Sequence, residues 1–169
     1  MHLDFHPEHD VEISQDMPVR PEAIWVCWSD PALFETWFCL QSEQLLLAQV
    51  DIQPGGILRV KKRIQNGLTV DSTSCFLQAE LEGTIIFTDA LGAGFHPNPR
   101  KQVSTVSFVW EKCPTGTRVT VRALHDIDSN RGVQEGKNFT SYWARLLAQL
   151  STQAANVTIR RAYAGTSLT

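Results

Sequence analysis

The chain has 169 residues, of which 43% are apolar and 20% charged, with a formal net charge of −3. A single domain of that length buries roughly 70% of its unfolded surface, so it can build a core without disulfides or a structural metal. The acidic balance argues against a nucleic-acid partner, because a phosphate backbone rewards clustered Lys and Arg. The densest basic run, residues 59–63, falls in a predicted strand and reads as a solvated face.

Four cysteines, Cys27, Cys39, Cys75 and Cys113, fall at no paired or metal-ligand spacing. Free thiols in a reducing compartment are the expectation, and Cys75, with no basic neighbour in sequence, is expected to be inert. The first ten residues hold His2, Asp4, His6, Glu8, His9 and Asp10 where a signal peptide needs an apolar run. A mobile terminus is expected there rather than a metal site, and no apolar stretch reaches membrane-spanning length. The expectation is a cytoplasmic protein with no cofactor, no metal, no membrane span and no nucleic acid.

Residues 8–17 alternate, with Val11, Ile13 and Gln15 on one side and Glu12 and Ser14 on the other, which predicts a half-buried strand. Pro21 suits the first turn of a helix whose apolar face is Ala23, Ile24, Cys27 and Trp28. Asp30-Pro31 is a cap-and-first-turn signal for a second short helix, with Leu33, Phe34, Trp37 and Phe38 inward. Strands are then predicted over 46–53, 57–65, 68–80, 84–90, 103–112 and 117–126. Turn chemistry separates most of them: Pro54-Gly55-Gly56, Asn66-Gly67, Glu82-Gly83 and Pro114-Thr115-Gly116. Residues 91–101, with two glycines and two prolines, read as a loop. From 132 to 153 no proline intervenes, and Phe139, Tyr142, Trp143, Leu146, Leu147 and Leu150 recur at three- and four-residue spacing, predicting a helix of about 30 Å. Short connections make a meander, and a seven-stranded antiparallel sheet with one apolar face needs a cover, for which the long helix is the available element. The fold class is α+β. The domain is placed at residues 8–155, with 1–7 and 156–169 as tails.

Several residue groups then carry a resemblance in the same order along residues 10–153. They are Ile24-Trp25 leading to Trp28-Ser29-Asp30-Pro31, then Trp37-Phe38-Cys39, then Asp51 with Pro54-Gly55-Gly56. Cys75-Phe76-Leu77, Phe87-Thr88-Asp89-Ala90-Leu91, Gly116-Thr117-Arg118 and Ala123-Leu124-His125 follow. This chain resembles the START-like superfamily, also called the birch-pollen-allergen-like or polyketide cyclase group. Within it, the chain is similar to the branch named for the activator of heat-shock protein 90 ATPase homologue. The resemblance implies a helix-grip fold, in which the sheet wraps around the C-terminal helix and leaves an apolar cavity between them. The final helix departs from that branch's pattern: Phe139 and Trp143 are kept, but Lys137, Asn138, Thr140 and Tyr142 stand where the branch often carries other residues.

Strand parity puts Asp89 on one face with Ile85 and Phe87, and His125 on one face with Val119, Val121 and Ala123. In a meander their strands run parallel with one strand between, so both sit at the same sheet end, roughly 10 Å apart. They are the candidate acid and base if the protein is an enzyme; the alternative is a pair of strand-end residues that touch solvent or cap loop amides. The ligand-lining set is expected to be Trp28, Trp37, Phe38, Leu58, Val60, Phe87, Asp89, His125, Phe139, Trp143 and Leu147, with packed core as the alternative for each aromatic. Three functions follow. The first is binding of a small hydrophobic molecule without catalysis. The others are a cyclase- or hydrolase-like enzyme using Asp89 and His125, and a cofactor of a chaperone ATPase. A homodimer stays open.

Overall fold

Alternation and turn residues translate into strands in the expected order in a computed structural model, which describes residues 1–99, 104–125 and 132–164, with side chains of the last helix described from 138 to 157. Strand β1 is Val11–Met17, followed by helices α1, Pro21–Ser29, and α2, Pro31–Trp37. Strands β2 (Gln44–Val50), β3 (Ile57–Arg63), β4 (Thr69–Glu80), β5 (Thr84–Thr88), β6 (Ser104–Cys113) and β7 (Gly116–His125) come next, and helix α3 closes the chain at Gly132–Ala164. The seven strands form one antiparallel sheet in the order β1-β7-β6-β5-β4-β3-β2, leaving β1 and β2 as edges. Residues 100–103, 126–131 and 165–169 lie outside the described residues, and with them the end of the expected 91–101 loop, the expected strand start at 103 and strand end at 126.

Local chemistry accounts for several boundaries. Pro21 and Pro31 occupy the first turns of α1 and α2, and the Asp30 side chain accepts a hydrogen bond from Leu33 N at 3.1 Å, capping α2. At the β3–β4 hairpin Gly67 takes φ 84°, and the Gly67 and Ile64 amides bond the carbonyls of Ile64 and Leu68. The loop is therefore a turn closed by a left-handed glycine, one residue longer than the tightest Asn-Gly reversal. Gly56 is required for a different reason: a Cβ there would stand 2.0 Å from the Asp51 carbonyl oxygen.

Two bulges, at Leu46 in β2 and Leu77 in β4, insert residues that no sequence pattern announced. The 91–97 segment is a compact turn rather than an open loop. Gly92 N bonds His96 O at 2.7 Å, Gly94 N bonds Gly55 O at 2.8 Å, and Leu91 bridges Pro97.

The sheet's inner face carries Leu58, Val60, Phe76, Ile85, Phe87, Val106, Phe108, Trp110, Val119 and Val121, all in the core. The cover is shared, not supplied by α3 alone. Helix α1 turns Ala23, Ile24, Cys27 and Trp28 inward and packs against both β6 and α3, because its apolar face is as continuous as that of the long helix. Helix α3 buries Trp143, Leu146, Leu147, Leu150, Ala154 and Val157, and so extends its apolar stripe past the predicted end at 153.

Candidate functional site

The inner face has two unlike ends. At one, the α1–α2 pair delivers rings into a tight cluster around Trp28, which is fully buried. Its ring centroid lies 5.1 Å from Trp37, 5.2 Å from Phe108, 5.5 Å from Phe38, 5.6 Å from Phe34 and 6.2 Å from Phe87. Trp37 and Phe108 meet it edge-on and the other three rings are tilted against it, favourable aromatic geometry at these separations. Trp37 donates its indole N–H to Cys27 O at 2.8 Å, whereas the Trp28 indole nitrogen has no hydrogen-bond acceptor among the described residues. Burial, with a smaller push from Asp30, raises the Cys27 thiol from 9.0 to about 12, so it stays protonated and inert.

At the other end, register brings Asp89 and His125 to the two sides of Ser104. Asp89 N bonds Ser104 O, and the Asp89 carboxylate accepts from Ser104 N at 2.7 Å, while Ser104 pairs with His125 across the ladder. The carboxylate thus holds a strand-end amide. His125 stands edge-on to Phe139 at 6.4 Å, and its backbone N–H bonds Asp10 Oδ1 at 3.2 Å. The His125 Nδ1 atom is buried with no hydrogen-bond partner among the described residues. Phe139 in turn contacts Trp143, and Trp143 contacts Phe38 and Phe108, which links this end to the aromatic cluster.

Of the expected lining residues, Trp28, Trp37 and Leu147 are fully buried, Leu58, Val60, Phe87 and Trp143 nearly so, and Phe38, Asp89, His125 and Phe139 are half-buried. The helical cover stops short of the β3–β4 end. Val70 and Ser72 share the face of Lys62 and Val60 by register, yet both are exposed.

A polar cluster that the sequence reading did not single out stands there. The Lys62 ammonium lies 2.9 Å from both carboxylate oxygens of Glu43, donates to the Tyr142 hydroxyl and sits 4.4 Å from the centre of that ring. Glu43 also accepts from Leu40 N at 3.1 Å. The two charged side chains are only 14% and 9% exposed. Burial first, then the charge of Glu43, holds the Tyr142 phenol above its ordinary value of 10.0. The partners are 19 and 80 residues apart in sequence, and Lys62, in the basic run expected to be a solvated face, instead continues the inward parity of Leu58 and Val60.

On the opposite, outer face a cavity of about 230 Å³ lies under residues 1–5, among Leu3, Phe5, Ile86, Ser107, Val109 and Leu124. Its one guanidinium, Arg122, is paired with Glu12 and lies over the Phe5 ring. None of the expected lining residues borders it. The N-terminal histidines each lie beside a carboxylate: His2 near Asp4, and His6 and His9 near Glu8. Among the described residues no group of three or more His, Cys, Asp and Glu could hold a metal ion, and no helix is long and apolar enough to cross a membrane.

A family model described as "Activator of Hsp90 ATPase homolog 1-like protein" matches residues 18–155. No curated protein matches the chain. Among solved structures, a protein from Nitrosomonas europaea superposes with a TM-score of 0.83 at 24% identity, covering 92% of this chain and 99% of that one. The AHSA1-like protein from Aeromonas hydrophila gives 0.65 at 17% identity, over 88% and 94% of the two chains. The AHSA1 protein from Silicibacter pomeroyi gives 0.66 at 16%, over 86% and 97%. At these identities the structures speak to the fold alone, and it is the same sheet-and-helix arrangement. With the family model spanning most of its length, this chain belongs to the Activator of Hsp90 ATPase homolog 1-like family of the START-like superfamily.

Proposed function

We propose that the protein binds a small apolar molecule between the inner face of the sheet and the N-terminal half of α3, at the end bounded by Phe87, His125, Phe139 and Trp143. The observation that carries this reading is the buried His125 Nδ1, without a hydrogen-bond partner among the described residues, at the edge of an apolar wall. A buried polar atom without a partner costs free energy, and a ligand group that bonds it removes that cost. The surroundings suit such a ligand, since binding sites are mostly apolar walls with a few polar groups that fix orientation. The aromatic cluster around Trp28 serves as the rigid backing of the site, because its rings already fill one another's space. We place the protein in the cytoplasm.

Catalysis by Asp89 and His125 is the weaker reading. A general base must reach a substrate proton, and the Asp89 carboxylate is engaged by the Ser104 amide. Action on a chaperone, suggested by the family description, would use an exposed apolar surface. Leu46 and Leu47 on edge strand β2 and Leu68 on the neighbouring hairpin are exposed, and the same leucines would serve a homodimer. A native mass spectrum of the protein purified from its own host tests the first reading. A bound mass of small-molecule size, lost on denaturation, supports it; a bare chain there, together with no calorimetric response to apolar compounds, contradicts it.

A further inference from the structure

The proposed site has a cation on its own face, and that cation is already spent. Lys62 follows Leu58 and Val60 along the inward parity of β3, where an ammonium could hold the head of an acidic ligand. Instead both Glu43 oxygens lie 2.9 Å from its nitrogen, and its remaining contact is to the Tyr142 hydroxyl on α3, next to Trp143. The phenol is held protonated by burial and by Glu43, so the three side chains together carry no net charge. Tyr142 is also one of the positions at which the chain departs from the pattern it otherwise resembles.

Resting on the binding reading above, we propose that the Glu43–Lys62–Tyr142 cluster makes this site select uncharged apolar ligands, with a hydroxyl or carbonyl rather than a carboxylate or amine as the polar end. The physical reason is an exchange without profit. An incoming carboxylate must displace Glu43 from Lys62, trading one ion pair for another while leaving Glu43 buried and unpaired and giving up its own hydration. An incoming amine meets the mirror problem at Lys62. A neutral molecule disturbs neither charge, and its oxygen can bond His125 Nδ1 or the Tyr142 hydroxyl.

The test is calorimetric titration, at neutral pH, with three probes of one chain length: decanol, decanoate and decylamine. Wild type should bind decanol at least about tenfold more tightly than either charged probe. Glu43→Gln, which frees the ammonium, should raise decanoate affinity about tenfold relative to decanol. Lys62→Met should do the same for decylamine, and the double variant should restore the wild-type order. Circular dichroism checks folding, and if Glu43→Gln does not fold, Lys62→Met carries the test. Decanoate or decylamine binding wild type as tightly as decanol would overturn the selectivity while leaving the site in place. So would folded single variants with unchanged preferences. Failure of all three probes to bind wild type would overturn the binding reading itself, and this inference with it.

Discussion

The two ends of the inner face use opposite means to hold the same helices. Around Trp28 the contacts are rings against rings, with Trp28, Phe34, Trp37 and Phe108 at 0–1% exposure and a single indole hydrogen bond to Cys27 O. Around Tyr142 and His125 the contacts are polar or half-buried, and α3 is held by the Tyr142 phenol, which accepts from Lys62 of the Glu43–Lys62 pair, and by the edge-on contact of Phe139 with His125. From Leu146 onward α3 belongs to the first kind, with Leu146, Leu147, Leu150 and Ala154 fully buried and Gln149 bonded to the carbonyls of Trp37 and Cys39. Tyr142 and Phe139, one and two turns earlier, belong to the second. Close-packed apolar contacts fix a fold, whereas polar contacts at the edge of a core can be exchanged for contacts with a ligand. The comparison gives the ring-packed end the role of stability, and the proposed binding reading puts recognition at the other.

The assignment breaks most visibly at Trp28. Trp28→Ala should cost about 3–5 kcal/mol in denaturant melts, the range for a large ring removed from a packed core. A loss below about 1 kcal/mol would mean that the ring borders open space and belongs to the recognition end. Glu43→Gln comes next. It leaves Lys62 without its counter-charge at 14% exposure, and a loss of about 3 kcal/mol is expected, the low end for breaking a buried pair. The Glu43→Gln/Lys62→Met double variant should recover most of it. Equal losses in the single and double variants would show that packing, not charge, holds α3 there.

Smaller effects sharpen the contrast. Asp30→Ala removes the cap of α2, which carries Phe34 and Trp37, and should cost about 1 kcal/mol with no change in ligand affinity. A changed affinity would tie the cluster to the site directly. The smallest effect at neutral pH is an alkaline one. The folded state keeps the Cys27 proton up to about 12 while the unfolded chain gives it up near 9.0, so stability should fall as pH rises through that window. Cys27→Ala should lose less stability than wild type over the same range, and parallel curves would contradict the burial of that thiol.

Much of the fold was legible because its signals are local. Val11, Ile13 and Gln15 against Glu12 and Ser14 read as a strand before any partner was known, and the half-buried and exposed residues of β1 follow that alternation. Asp30-Pro31 likewise read as a helix start, and the cap bond is there. What escaped depends on partners far along the chain. The extra residues Leu46 and Leu77 are set by neighbouring strands, not by their own sequence. Parity put Asp89 and His125 at one sheet end, but parity cannot say that the Asp89 carboxylate would turn onto the Ser104 amide. The Glu43–Lys62–Tyr142 cluster joins three elements through side chains that individually look like ordinary surface residues. Tyr142 stood out in sequence only as a departure from a pattern and as one more ring on an apolar stripe.

The central claim is that ligand enters at the end marked by Phe139, Trp143 and His125 and leaves the Trp28 cluster undisturbed. The chain has five tryptophans, so the indole N–H region of its NMR spectrum holds five signals that separate the two ends. Titration with decanol should shift the Trp143 signal and the Phe139 and His125 amides while the Trp28 and Trp37 signals stay in place. Shifts centred on Trp28 and Trp37, or confined to the outer-face residues Ile86, Ser107 and Leu124, would contradict the account.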